Sequence, residues 1–120
     1  MSLKVALNHR THYRYDKAVS LGPQVIQLRP APHCRTPILN YSLAVVPSQH
    51  LLNWQFDPYN NHVARLLFPD KTIDFVVEVD FVAELTPFNP FGFFLEPGVK
   101  DYPFKYDPEL ARDLQPYLQV

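Results

Sequence analysis

The sequence of 120 residues has one cysteine, three glycines and no long apolar run. A single cysteine cannot form an internal disulfide, which suits a reducing compartment, so we expect a cytoplasmic protein. Three glycines cannot supply a glycine-rich phosphate-binding loop. No apolar run approaches the roughly 20 residues of a membrane helix, so we expect no membrane partner. The first 16 residues turn polar too early for a signal peptide.

Net charge is also nearly absent, because 11 Lys and Arg residues balance 12 Asp and Glu residues. A pI near 6.5 argues against a general nucleic-acid binder, so no nucleic-acid partner is expected. The charge is unevenly distributed, at +5 over residues 1–36 and −6 over residues 37–120. Either basic and acidic strands face each other across a sheet, or a basic face docks an acidic partner or a neighbouring domain.

What the sequence does contain is a strict alternation of apolar and polar residues, which predicts β-strands. The clearest strands are Val5–Tyr15, with a half-buried face, and Ile73–Leu85. Length and composition suit one domain over residues 1–120. We expect a mainly β protein, an antiparallel β-sandwich or alternatively a flattened barrel. The shorter predicted strands are Val25–Arg29, Ile38–Val46, and Leu51–Phe56 paired with His62–Phe68 as a hairpin.

Turn and cap residues punctuate the chain. The segment from Asp57 to Asn61 favours a type I turn, in which Asn60 or Asn61 takes the left-handed conformation. Asp107 followed by Pro108 predicts the start of one short C-terminal helix. Leu110, Leu114 and Leu118 would share its apolar stripe, and Pro116 would end or kink the helix.

The segment between the last strand and this helix is crowded with phenylalanine and proline. It either covers the core of the sandwich or forms an exposed docking patch. Proline rigidity would lower the ordering cost of such a contact. In an isolated domain the same surface would favour homodimers. The interface candidates are Phe91, Phe93, Phe94, Leu110 and Leu114.

No pattern of reactive side chains points to catalysis, a metal or a cofactor, and we expect none of the three. Cys34 and His33 are sequence neighbours, whereas catalytic pairs are brought together by the fold, so Cys34 is interpreted as a small, partly buried residue. His9 and His12 point to opposite faces of a strand and cannot chelate together. No histidine spacing matches a zinc site, and His9 is interpreted as a hydrogen-bonded core histidine.

Two further patterns have a functional and a structural interpretation. One strand carries a row of acidic residues, and paired acids could cleave glycosidic bonds. A solvated strand face explains the row better, and it would also protect the strand if that strand lies at an edge. That row consists of Asp74, Glu78, Asp80 and Glu84. An aromatic platform would instead make the chain a stand-alone carbohydrate- or peptide-binding sandwich. Its residues would be Trp54, Tyr13, Tyr15 and Tyr59.

The opening motifs resemble a known family. His9-x-Thr11-x-Tyr13-x-Tyr15, then Leu21-Gly22-Pro23-Gln24 and Leu28-Arg29-Pro30, are similar to the N-terminal domain of bacterial transglutaminase-like proteins. The stretches 89–97 and 106–110 resemble a subgroup of very long bacterial chains. That family usually has Gly before the Asn of the hairpin turn, where this chain has Asn60, which also tolerates positive φ.

The resemblance implies that a longer chain carries separate accessory and catalytic domains. The papain-like Cys-His-Asp machinery would lie in a following catalytic domain, which would be the partner of this one. No residue of this chain matches that machinery, so none inherits a catalytic role. We therefore expect a non-catalytic accessory domain, cut from a longer protein near residue 120.

Overall fold

The computed structural model describes residues 2–119, which divide after Pro87 into two compact units. The first unit contains every strand of the described residues, in two antiparallel sheets. The second unit begins at Phe88 and contains the α-helix. The boundary coincides with the point where the sequence turns from alternating residues to prolines and phenylalanines. The assignment of both units to one domain stays a prediction.

Six strands build the first unit. They are β1 (Leu3–Ser20), β2 (Gln24–Ile26), β3 (Ile38–Val46), β4 (Leu51–Phe56), β5 (His62–Leu67) and β6 (Lys71–Leu85). The order β1-β6-β3 forms the long sheet, and the order β2-β5-β4 forms the short sheet. The two sheets do not close into a barrel within the described residues, so the predicted mainly β sandwich is confirmed and the barrel is not.

The core lies between the two sheets. From the long sheet, Val45, Phe75 and Val77 are buried in it. The short sheet contributes Ile26, Ala64 and Leu66. Since full burial of a large apolar side chain stabilises a fold by about 1.5–3 kcal/mol, these contacts hold the sheets together.

The acidic row lies on the central strand of the long sheet. β6 pairs with β1 on one side and with β3 on the other, so its carboxylates protect no edge. Antiparallel partners direct their side chains to the same face. Basic residues of β1 therefore lie opposite acids of β6, which confirms the first interpretation of the charge distribution. These pairs are Lys4 with Glu84, Arg10 with Glu78, and Arg14 with Asp74.

The predicted half-buried face of β1 is buried only in part. Thr11, Tyr15 and Val19 are half-buried, but Leu7 and His9 are exposed. The interpretation of His9 as a core residue is therefore wrong, although His9 Nε2 lies 3.0 Å from the Thr11 hydroxyl. β1 is an edge strand, so His9 is exposed although its partner Val79 on the central strand β6 is buried.

The ends of two strands also differ from the prediction. β1 continues five residues past Tyr15 because its pairing breaks after Arg14 and resumes with Val19 opposite Thr72. β2 ends at Ile26 instead of Arg29, because its pairing with β5 stops at Ala64. The chain leaves the short sheet there, which releases Arg29 from the strand.

The hairpin turn between β4 and β5 is built as the sequence predicts. The Asn60 amide donates to the Asp57 carbonyl at 3.0 Å, and Asn60 has φ of 62°. Oδ1 of Asp57 accepts hydrogen bonds from the amides of Tyr59 and Asn61, each at 2.9 Å. The Asn61 side chain donates to Oδ2 of Asp57 at 3.0 Å, so one carboxylate organises the whole turn.

The second unit contains a 3₁₀ turn, Pro97–Val99, and the helix α1, Pro108–Leu118. Oδ1 of Asp107 accepts from the Glu109 and Leu110 amides, each at 3.1 Å, which confirms the predicted cap. Pro116 lies inside α1, so it does not end the helix, and the alternative that it kinks the helix stays a prediction. Over residues 88–119 no side chain is buried. No helix in the described part of the chain is long and apolar enough to cross a membrane.

Candidate functional site

A cleft of about 460 Å³ opens in the first unit beside the loop that joins β2 to β3. It is lined by residues 29–32, 34 and 36–41 and by His62. Three of these residues, Pro30, Pro32 and Pro37, have a fixed φ and restrict their predecessors as well. The wall of the cleft is therefore stiff before any ligand arrives.

Arg29 is the basic residue that lines this site. The central carbon of its guanidinium is 4.9 Å from the ring centroid of Tyr41 on β3 and 5.0 Å from that of Trp54 on β4. Because β3 and β4 belong to different sheets, this double cation–π contact joins the long sheet to the short sheet. Among the described residues, Arg29 takes part in no salt bridge and no side-chain hydrogen bond. Its positive charge is stabilised by contacts with aromatic rings and is not neutralised by a carboxylate of the described residues.

Tyr41 contributes a second unusual group. Its hydroxyl is buried and has no hydrogen-bond partner among the described protein groups. Desolvation raises the pKa of Tyr41, and the nearby Arg29 charge opposes that rise. A buried hydroxyl without a partner costs about 1–3 kcal/mol, so a hydrogen-bonding ligand would gain at this position.

His62 lies beside the aromatic rings that contact Arg29. Its ring centroid is 4.9 Å from that of Phe56 and 6.2 Å from that of Trp54. Desolvation lowers the pKa of His62, and the positive charge of Arg29 lowers it further. The neutral imidazole therefore predominates at pH 7, and Arg29 supplies the fixed charge of the cleft.

Cys34 also lines the cleft, and its side chain is exposed. The expectation that it is partly buried is wrong. The reason is a turn in which the Cys34 amide donates to the Ala31 carbonyl at 2.9 Å, so the residue lies on an exposed loop outside the core. In the described part of the chain, no three His, Cys, Asp or Glu side chains group together as a metal site would require.

The acidic row of β6 is engaged by side chains of β1. His12 Nε2 lies 2.7 Å from Oδ1 of Asp74. Asn8 donates from Nδ2 to Oε1 of Glu78 at 3.0 Å and to Oδ1 of Asp80 at 2.7 Å. These contacts join neighbouring strands, which supports the structural interpretation of the row over a pair of catalytic acids.

The four residues of the hypothetical aromatic platform lie in different parts of the sandwich. Trp54 meets the Tyr41 ring edge-on at 6.0 Å, between the sheets. Tyr13 stacks on Phe75 at 5.9 Å, and Tyr15 packs against the core. Tyr59 is exposed in the hairpin turn.

The cluster of Arg29, Tyr41 and Trp54 was not predicted from the sequence. Its members come from a loop and from two strands of different sheets. No short motif encodes such a contact. The one available signal was an Arg before a proline, at the end of a strand where pairing is weak.

The five interface candidates lie in the second unit. Phe91 is 83% exposed and Phe94 is fully exposed. Phe93 and Leu110 are exposed, and Leu114 is half-buried. A turn in which the Gly92 amide donates to the Asn89 carbonyl at 3.0 Å presents these rings. The choice between a docking patch and core cover stays open, and the interface itself stays a prediction.

Comparison with known proteins bears on the first unit. A search of curated proteins and a search of solved structures each found no match. A family model described as the bacterial transglutaminase-like N-terminal region matches residues 5–84. The match spans about two thirds of the chain. It includes the cluster around Arg29 and all of the sandwich except its two ends. The chain therefore belongs to the family of bacterial transglutaminase-like N-terminal regions.

Proposed function

We propose that this chain is a non-catalytic accessory domain that precedes a transglutaminase-like catalytic domain in the same protein. Membership of an N-terminal-region family supports this order along the chain. The papain-like Cys-His-Asp residues would then lie in the following domain. The parent protein would act in the cytoplasm, on peptide or amide bonds.

The observation that carries the proposal is the exposure of the phenylalanines in residues 88–119. Burying one such ring is worth about 1.5–3 kcal/mol, yet Phe91, Phe93 and Phe94 are all exposed. Prolines at positions 90 and 97 restrict the segment and lower the cost of ordering it. We assign this surface, with Leu110 and Leu114 of α1, to docking against the catalytic domain.

The order of domains is tested by the intact mass of the natural protein. The protein would be captured from its source cells with an antibody raised against this sandwich. We expect a mass well above the 14.0 kDa of this chain. A natural mass near 14.0 kDa would exclude a following catalytic domain and end the proposal.

The docking surface is tested in that full-length protein with the double variant Phe93→Asp and Phe94→Asp. We expect the sandwich to unfold cooperatively as before, and residues 88–107 to become more sensitive to protease. The control is Tyr102→Asp, which changes another exposed aromatic residue of the same unit. Equal protease sensitivity of the double variant and wild type would contradict docking, and loss of cooperative unfolding would place the two rings in a core. Size-exclusion chromatography of the isolated chain would detect a homodimer as the competing occupant.

A further inference from the structure

We propose that the cleft beside Arg29 is a binding site for a carboxylate group, supplied by a small organic acid or by an acidic side chain of a peptide. The cleft would bind such a group whether or not a catalytic domain follows. Its volume of about 460 Å³ lies within the range of small-molecule sites. Nothing in the family description assigns a ligand to this place.

The first argument is charge. The cleft lining includes Arg29 and contains no Asp or Glu. Within the described residues, no carboxylate forms a salt bridge with Arg29. A guanidinium presents five N–H donors in one plane, and within the described residues no side-chain hydrogen bond or salt bridge uses those of Arg29. A carboxylate can accept two of those donors at once, in a bidentate pair.

The second argument is the hydroxyl of Tyr41. It is a buried donor without a partner in the described protein, and its ring holds the same guanidinium. Since this hydroxyl has no accessible surface in the unliganded protein, a small movement of the Tyr41 side chain towards an anion bound at Arg29 would give it an acceptor that the protein does not supply. One ligand group would therefore satisfy two groups that the fold leaves unmatched.

The third argument is preorganisation. Tyr41 and Trp54 contact the guanidinium from two sheets, and prolines 30, 32 and 37 stiffen the lining of the cleft. Little side-chain or loop entropy is then lost when a ligand binds.

The chain supplies its own reporters for a binding experiment. Trp54 is the single tryptophan and contacts Arg29, and Cys34 is the single cysteine and lines the cleft. The probes are succinate and a capped triglutamate peptide, and succinamide and a capped triglutamine peptide are their uncharged controls. We expect a saturable change in Trp54 fluorescence with an acid and none with its amide. We also expect the acid to slow the reaction of Cys34 with iodoacetamide.

Variants of the basic residues locate the site. Arg29→Ala should weaken binding at least about tenfold, since a charged hydrogen-bonding partner is lost. Arg29→Lys keeps the charge without the planar donors and should fall between Arg29→Ala and wild type. Arg65→Ala is the matched control, because Arg65 is exposed on β5 and does not line the cleft. If Arg29→Ala does not fold, Tyr41→Phe removes only the hydroxyl and should weaken binding several-fold.

The outcomes separate clearly. Binding of succinate alone would identify a free organic acid, and binding of triglutamate alone would identify a peptide ligand. The site assignment would be overturned by no saturable change with either acid, or by equal affinity for the amides. It would also fail if Arg65→Ala weakened binding as much as the Arg29 and Tyr41 variants. A fluorescence change that leaves the alkylation of Cys34 unaltered would place the ligand elsewhere and would equally reject the cleft.

Discussion

The two units of the chain differ in how far they bury their aromatic residues. Phe75 in the first unit is buried between the sheets, whereas Phe94 in the second unit is fully exposed. The first unit has six paired strands, and each sheet presents a face for the other to cover. The second has a short helix and irregular chain, and none of its residues 88–119 is buried. Among the described residues, a buried aromatic side chain is found only in the unit whose sheets supply an opposing surface.

The two units nevertheless share one local device. Asp57 in the hairpin turn and Asp107 before α1 each accept backbone amide hydrogen bonds from residues two to four positions ahead. This device depends only on nearby residues, so it forms with or without a core. Local order and buried surface are thus separable contributions to the stability of this chain.

The largest effect should come from the core of the first unit. Leu66→Ala removes most of a fully buried side chain, and we expect the free energy of unfolding to fall by about 3 kcal/mol. The matched change in the second unit is Phe94→Ala, for which we expect a change within about 0.5 kcal/mol. Urea unfolding followed by the fluorescence of Trp54 measures both values. Similar losses for the two variants would show that Phe94 is part of a core.

The structure also shows which features could be predicted from the sequence and which could not. Alternation along β6 and the Asp57 turn are encoded locally, and both were predicted correctly. Alternation assigns residues to faces, but it does not say how much of a face another sheet will cover. His9 was therefore assigned to the core, although it is exposed on an edge strand beside the buried Val79. The Arg29 contacts had no motif in the sequence beyond an Arg before a proline, because they join side chains distant in the chain.

A smaller loss of stability is expected when either of the two aspartates that accept backbone hydrogen bonds is removed. Asp57→Ala removes three hydrogen bonds from the hairpin turn, and we expect a loss of global stability smaller than that of Leu66→Ala. Asp107→Ala removes the helix cap, which is worth about 1 kcal/mol to the helix. Its expected result is weaker helical circular dichroism with no shift in the Trp54 unfolding midpoint. A shift in that midpoint would show that α1 and the sandwich unfold as one cooperative unit.

A change of opposite sign is expected at Tyr41. Tyr41→Phe removes a buried hydroxyl that has no partner in the described protein, so the variant should be more stable by about 1 kcal/mol. The Arg29 contact with the ring is retained. Urea unfolding of wild type and variant without ligand measures the difference. A loss of stability would mean that the hydroxyl is already satisfied in the unliganded protein, and it would remove one of the arguments for the carboxylate site.

The smallest effect concerns the titration of His62. Desolvation and the Arg29 charge lower its pKa below the ordinary value of 6.5, so the unfolded chain binds this proton more readily than the folded one. The stability linked to His62 is fully present above pH 6.5 and is lost as the pH falls through the unfolded-state pKa. In Arg29→Ala the second cause disappears, so the pKa of His62 should rise towards 6.5, and Arg65→Ala should leave it unchanged. Ring-proton chemical shifts across a pH titration measure this directly. A pKa above 6.5 in wild type would contradict both causes, and an unchanged pKa in Arg29→Ala would contradict the contribution of Arg29.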